Sequence, residues 1–586
     1  MKKILKAIEP VINFIKKWII KNKKILKKIS IILGIVVGVV LISILSLYIY
    51  LNKKYLSNIQ LEGAFVDITA MDFDFSKRDI DDSYDEEKAT KITFTDNENV
   101  AIKSAGTYIL SGTLKNAMVI VEGGEQDKIH VVLDNCIIEN NNGPAFYIKS
   151  SDKVFITLAK DSVNKISDGA EYEYIDEETN VDGAIFSKAD LTINGSGSLE
   201  VTGNYKHGVV SKDDLVICGG TYDITSVKKG LNGKDCVKIY DGDIKINAGT
   251  DGICSDNAED SVRGYVYIEN GNIDITSGND GIQAENVLKL QTPMVTVCAG
   301  GGSINAPVRE NSRFNRGDDD EAEEEENTES IKGLKAGTDI LISEGQYIID
   351  TVDDTVHANG SIKIEGGKLD LKSGDDGIHA DNTLQIVDGD IDIANSYEGL
   401  EGYQISMEGG TILVVSTDDG INASAGSDSV GIVESIKRLL VRGLNGKLEI
   451  LGGELTVNAE GDGLDSNGVM TISGGTTIVA GPVSGGNNII DCDGKRVVNG
   501  GIVLCIGMED EDNEFSDVNN QSSITTAFAE QDAGTLVEIC DDDGKAIVSF
   551  EAPKAYDSIL ATAPEIIKGN TYVVKVDGET IGTIEN

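Results

Sequence analysis

One sentence of residues, repeated with small changes through the middle of the chain, restricts the fold more than anything else in it. Residues 359–380 read Asn-Gly-Ser-Ile-Lys-Ile-Glu-Gly-Gly-Lys-Leu-Asp-Leu-Lys-Ser-Gly-Asp-Asp-Gly-Ile-His-Ala, and the pattern recurs at 237–254, 265–284, 384–402, 405–423 and 448–466. Each copy has an alternating strand, a glycine turn, a second alternating strand, a turn ending in Asp-Gly, and a short third strand. The turn glycines are Gly208, Gly230, Gly252, Gly281, Gly333, Gly377, Gly399, Gly420 and Gly463, with Thr355 in the slot between Gly333 and Gly377. Most steps are 21 or 22 residues, and the longer ones carry insertions.

The residue after each turn glycine is apolar (Val209, Leu231, Ile253, Ile282, Leu334, Val356, Ile378, Leu400, Ile421, Leu464). Two positions on, it is small, as at Ser211, Ala284, Ala358, Ala380 and Ser466. Alternation of period two sends one set of side chains inward and the next outward. A single coil cannot bury its inward face. Coils of equal length bury it against one another at strand spacing, roughly 4.8 Å. Helices are excluded by the period and by glycine every eight to ten residues. The predicted fold is therefore an all-β parallel β-helix, a solenoid of about 22-residue coils over residues 91–490. Roughly fifteen coils at strand spacing make a rod of about 70 Å. Composition agrees, with 66 Gly, 7 Pro and 5% aromatics, a profile of short strands and tight turns.

Two insertions break the rhythm: the acidic loop 302–330, with Gly317-Asp318-Asp319-Asp320-Glu321 at its centre, and 424–446. Residues 491–586 alternate over longer strands and are expected to cap the stack as a β-strand unit, while 53–90 serve as linker and N-terminal cap, because an open solenoid end exposes strand edges. The recognisable repeat ends near Gly485.

Charge is divided along the chain. Residues 1–28 hold ten Lys and one Glu, a charge of +9; the remainder holds 41 basic against 97 acidic residues, or −56. Such a surface repels nucleic acid and anionic polymers unless cations intervene. Between Lys28 and Lys53 lie 24 residues without a charge, enough for roughly 36 Å of helix. The expected arrangement is a cytoplasmic basic segment (1–28), a transmembrane helix (29–52) and an external remainder, a single-pass protein of the cell membrane. A cleaved signal peptide is the rival reading, but the apolar run is long for one and Leu47-Tyr48-Ile49-Tyr50 is no small-residue cleavage site. The eight cysteines match no zinc or redox spacing.

In a parallel stack, each outward column repeats one chemistry at every rung. The column before the turn glycine reads Asp251, Asp280, Lys332, Asp354, Asp376, Glu398, Asp419, with Asp462 beyond; Asp353, Asp375 and Asp418 double the carboxylates. Carboxylates about 5 Å apart repel by about 1 kcal/mol per pair even in bulk water. Calcium, which takes six to eight oxygens, would relieve that repulsion. Asp-Gly is also a good turn former, which accounts for one Asp per turn but not two. The candidate calcium ligands are Asp353, Asp354, Asp375, Asp376, Asp381, Asp418 and Asp419. Two residues past the glycine the column reads Lys335, His357, His379, Glu401, Asn422. A polar outer face, hydrogen-bonded along the ladder, accounts for it; its members His357, His379 and Glu401 are candidate ligand-binding residues, and a catalytic base at Lys335, His357 or His379 is the alternative. A further strip, Lys188, Lys212 and Lys234, either contacts a carboxylated sugar or offsets Asp190, Asp213, Asp214 and Asp235. The one Trp, Trp18, lies outside the repeats, so a sugar would be held by Tyr, hydrogen bonds or cations.

From about residue 75 to 580 the chain resembles the bacterial, mostly clostridial, calcium-binding carbohydrate-binding proteins that are similar in fold to pectate lyases. The resemblance rests on Asp81-Asp82-Ser83-Tyr84-Asp85, Ala105-Gly106-Thr107-Tyr108-Ile109-Leu110-Ser111-Gly112-Thr113-Leu114, Phe186-Ser187-Lys188-Ala189-Asp190-Leu191-Thr192-Ile193-Asn194-Gly195, Asp375-Asp376-Gly377-Ile378-His379-Ala380-Asp381, Ser396-Tyr397-Glu398-Gly399-Leu400-Glu401-Gly402 and Gly461-Asp462-Gly463-Leu464-Asp465-Ser466-Asn467-Gly468. It implies a right-handed coil, bound calcium, and binding of plant-type polysaccharide such as cellulose or acidic pectic chains. The expected function is thus polysaccharide binding at the cell surface. A calcium-dependent polysaccharide lyase and a structural or adhesive rod are the alternatives.

Overall fold

The structure is a computed structural model, and it describes residues 65–94, 97–173, 180–307, 330–424, 446–483, 486–509 and 513–586. The chain divides into two units, Met1–Ala64 and Phe65–Asn586. The expected basic segment and transmembrane helix (1–28 and 29–52) lie outside the described residues, as do most of the acidic loop 302–330 and of the insertion 424–446. Among the described residues no helix is long and apolar enough to cross a membrane. Helix is confined there to Lys77–Ile80 and one 3-10 turn at Ser303–Asn305.

The second unit is all β. Its strands pair in parallel, each with the strand one repeat later, in three ladders. The first ladder carries the short strand after the Asp-Gly turn. Val209 pairs with Leu231, and the series continues through Ile253, Ile282, Leu334, Val356, Ile378, Leu400, Ile421 and Leu464 to Ile490. Equal repeat length causes this register, because equivalent positions arrive at equivalent heights. The inward residues of all ladders merge into one apolar cluster from Phe94 to Leu560, nearly all of it without exposed surface. Stacking thus supplies the burial a lone coil lacks.

Two glycine columns do different work. Between the second ladder, which holds Ile340–Ile342 and its partners, and the third, which holds Gln346–Thr351 and its partners, Gly242, Gly271, Gly345 and Gly389 take positive φ, which other residues resist. The glycines of the Asp-Gly turns are absent from that class. They are needed because the next rung is too close. A Cβ on Gly230, Gly252 or Gly281 would lie 2.7, 2.6 or 2.6 Å from the carbonyl oxygen of the next glycine in the column. Thr355 fills its slot with a hydroxyl that donates to the Gly377 carbonyl.

Two expectations about the edges are corrected. The parallel ladders do not stop near residue 490; Ile490–Cys492, Arg496–Val498, Ile502–Gly507 and Asp517–Val518 still pair in parallel. There the inward apolar positions persist after the Asp-Gly signature has gone. Parallel pairing ends where Tyr556–Ala563 lies antiparallel on Ile502–Gly507 and on Ser522–Gln531, and a separate four-stranded antiparallel sheet follows. Residues 65–89 do not sit across the end of the stack. They run along its side, over the outward face of the second ladder. Val66 N–H donates to Asp339 at 2.6 Å, Phe73 packs edge-on against Tyr265 and Tyr267, and Asp79 meets Lys153 and Thr192. The eight cysteines are free.

Candidate functional site

The first ladder places the outward column Gln283, Lys335, His357, His379, Glu401, Asn422, Asp465 and Asp491 on consecutive rungs. Beside it runs the pre-glycine column. Five of its carboxylates share one task, each lending an oxygen to a backbone N–H of the next rung. Asp280 accepts from Lys332, Asp354 from Asp376, Asp376 from Glu398, Asp419 from Asp462 and Asp462 from Asn488, over 2.5–3.3 Å. The sequence does not announce that structural role, because an acid before a turn glycine reads equally as a turn former or a metal ligand.

The second oxygens of Asp280, Asp354 and Asp376 face the outward column, and the two halves of the site differ in what meets the carboxylates. In the first half, protein cations meet them. Lys335 Nζ lies 3.2 Å from Asp280. Lys332 Nζ lies 3.1 Å from Asp353 and 2.5 Å from Asp354. Burial alone would lower the pKa of the Lys332 ammonium, but Asp354 and Asp353 hold it raised. Burial opposes ionisation of Asp354 too, yet Lys332 and His357 keep its carboxyl well below the ordinary range. His357 Nδ1 is 2.7 Å from Asp354, and its Nε2 is 2.9 Å from the Asn359 side-chain oxygen. His379 Nδ1 lies 3.1 Å from Asp376 and 2.9 Å from Glu401, and its Nε2 lies 3.3 Å from Asp381. These three carboxylates raise the His379 pKa against the effect of burial.

The outer face expected here is not exposed. His379 has no accessible surface, and Glu401 and His357 have 3% and 6%. A buried imidazole between carboxylates is a fixed counter-charge rather than a base open to substrate, and Lys335 is tied to Asp280. The structure brings three of the seven expected carboxylates together and groups a fourth with other residues. Oxygens of Asp353, Asp354 and Asp375 lie within 4.8 Å of one another, as do ligand atoms of Asp376, His379 and Glu401. Between Asp353 and Asp354, however, the place of a cation is taken by the Lys332 ammonium.

Beyond Glu401 the column is acidic and amide only. Burial, then Glu401, pushes Glu398 up to about 9; burial, then Asp462 and Asp418, pushes Asp419 up to about 8; burial, then Asp462 and Asp491, pushes Asp465 up to about 7. Asn422 donates to Glu398 at 2.9 Å, and its own side-chain oxygen is buried without a partner among the described residues. The set is all oxygen with an orphan acceptor, the donor type a hard cation such as calcium takes, although among the described residues no three of its carboxylates come within 4.8 Å of one another. Of the expected ligands, Asp418 and Asp419 lie in this half; sequence reasoning missed Glu398, Asp462 and Asp465, although Glu398 and Asp462 stand in the same column.

The lysine strip is spread over three rungs. Lys188 and Lys234 are half-buried and Lys212 is exposed, its ammonium 5.4 Å from the Phe186 ring centre.

Comparison with known proteins bears on part of the stack. Residues 96–377 match the family model described as carbohydrate-binding domain-containing protein. A curated protein of that same description from Acetivibrio thermocellus is 38% identical over 122 residues, which are 21% of this chain and 43% of that protein. The chain thus spans less than half the length of this relative. A solved structure titled a polysaccharide lyase-like protein from C. thermocellum, a gadolinium derivative, is 34% identical and covers 36% of this chain and 91% of its own, with a TM-score of 0.35.

Proposed function

We propose that this chain is a polysaccharide-binding protein built on a right-handed parallel β-helix, with calcium bound between carboxylates of its first ladder. The match of residues 96–377 to a carbohydrate-binding family model carries the reading. The ladders support it physically, since a rigid stack repeats its surface groups at a spacing close to the rise of an extended sugar chain. Calcium belongs in the half beyond Glu401, where Glu398, Asn422, Asp419, Asp462 and Asp465 offer oxygens and no protein cation stands among the described residues. The uncharged run 29–52 is assigned as a membrane anchor that displays the stack outside the cell, with the lysine-rich flank inside. The lyase reading finds no support at Lys335, His357 or His379, each of which is engaged by carboxylates.

A glycan array probed with and without calcium tests the function. Binding to plant-type polysaccharides, with no rise in absorbance from unsaturated uronates on polygalacturonate, is the expected outcome. Absorbance growth would transfer the reading to a lyase, and a blank array would transfer it to a structural rod.

A further inference from the structure

The described part of the chain is strongly acidic, yet at one place on the first ladder lysines gather. His207 pairs with Gly183 one rung back, and its N–H donates to the Asp182 carbonyl. On the following rung, Lys228 N–H donates to the Lys206 carbonyl and Lys229 N–H donates to His207 Nδ1 at 3.2 Å. That last bond fixes the tautomer, so the imidazole carries its proton on Nε2, which faces Asp182 Oδ2 at 3.8 Å. Burial and then Lys229, Lys212, Lys206 and Lys228 lower the His207 pKa to about 3, so the ring is neutral. Lys212, Lys206 and Lys228 also act on Asp182, opposing the rise that burial imposes.

Two facts separate this cluster from an ordinary charge balance. First, Lys229 has partners in Asp251 and Asp256 at 3.4 and 3.7 Å, but Lys206, Lys212 and Lys228 make no ion pair among the described residues. The carboxylates that might have needed them are served elsewhere, since Arg263 pairs with Asp235 and reaches Asp213. Second, Asp182 is 7% exposed, and while its Oδ2 accepts from Asn180 at 3.0 Å, its Oδ1 has no partner among the described residues. A buried acceptor left without a donor is costly unless a ligand supplies one. Asn232, on the rung after His207 in the same ladder and 6% exposed, presents a second orphan oxygen. The stacked rings of Tyr172 and Tyr205, 4.4 Å apart, flank the cluster, with Lys206 Nζ 5.0 Å from the Tyr205 ring centre.

We propose that Lys206, Lys212 and Lys228, around buried Asp182, form a site for an acidic sugar residue, whose carboxylate meets the ammonium groups and whose hydroxyl donates to Asp182 Oδ1. Unpaired ammonium groups call for an anion, and the orphan oxygen calls for a hydroxyl beside it. A sugar acid carries both on one ring. In so negative a molecule, an anionic chain would also be drawn to this patch and repelled elsewhere. The inference rests on the polysaccharide-binding reading and deepens it.

Titration calorimetry of the full chain with tetragalacturonate and with cellotetraose, both in EDTA to exclude calcium bridging, tests it. Tetragalacturonate is expected to bind, more weakly as salt rises. Each of Lys206→Ala, Lys212→Ala and Lys228→Ala is expected to weaken it by about tenfold, the loss of one charge-assisted hydrogen bond. The triple variant is expected to lose measurable binding of tetragalacturonate while its melting temperature and any cellotetraose binding stay unchanged. A triple variant that binds tetragalacturonate as the parent does overturns the site but leaves polysaccharide binding standing, as does a parent chain that binds cellotetraose alone. A parent that binds neither overturns the site, and with a blank glycan array the reading beneath it falls too. Should the triple variant not fold, Lys212→Ala and Lys228→Ala, both at exposed positions, decide the matter singly.

Discussion

At the scale of single residues, Lys332 carries the clearest consequence. Its side chain is 10% exposed, and its ammonium lies between Asp353 and Asp354, the latter with no exposed surface. Removing one partner of a buried pair leaves an uncompensated charge, at a cost of about 3–5 kcal/mol. Lys332→Ala is therefore expected to lower unfolding stability in urea by about that amount. Adding Asp354→Asn to the same chain is expected to recover part of the loss. An unchanged denaturation midpoint for Lys332→Ala would show that the ammonium is not the counter-charge of this rung.

At the scale of the element, the first ladder divides into a compensated half and an uncompensated half, and pH reads the difference. Glu398, Asp419 and Asp465 have folded pKa values raised to about 9, 8 and 7, chiefly by burial and then by one another's neighbours. A raised acid is stabilising while protonated. Its contribution is complete below the ordinary carboxylate value of about 4 and is lost as pH rises through the folded value. His379, whose pKa is also raised, adds a loss of the same sign. In EDTA the melting temperature is expected to fall between about pH 5 and pH 9. Calcium is expected to restore it at the alkaline end and to do little at the acid end, where protons already hold the carboxylates. Calorimetry showing a metal-free melting temperature that is flat or rising across that interval would refute the uncompensated half.

At the scale of the whole molecule, the side strap 65–89 couples rungs that the ladders alone connect only through their neighbours. Lys238 Nζ donates to the carbonyls of Asp72 and Asp74, and Tyr265 OH to that of Asp72. Asp79, 3% exposed, pairs with Lys153 at 2.8 Å, and accepts from Thr192 at 2.6 Å and from the Ser76 N–H at 3.0 Å. Asp79→Ala leaves Lys153 and Thr192 without that partner, so a loss of about 3 kcal/mol is expected. Hydrogen exchange localises the effect. Backbone amides of residues 66–84 are expected to lose protection while those of the inner ladders keep theirs; retained protection in the strap would mean that its aromatic contacts suffice.

Much of this architecture is legible in the chain by itself. A repeat of constant length dictates which residues share a rung, and period two dictates which face inward, so the pairing of Val209 through Leu464 follows from sequence position alone. The columns His357–His379 and Asp354–Asp376 follow in the same way. The structure decides what depends on partners far apart in sequence. Lys332 reads as a break in an acidic column until its ammonium is seen between Asp353 and Asp354. The strap reads as an end cap until Val66 is found on Asp339, 273 residues away. Asp182 and its lysines fall outside the repeat's signature and meet only when coils stack. Local spacing fixes register because the backbone ladder is periodic. Burial and charge compensation are fixed by whatever side chains the fold brings against each rung, and no period encodes those.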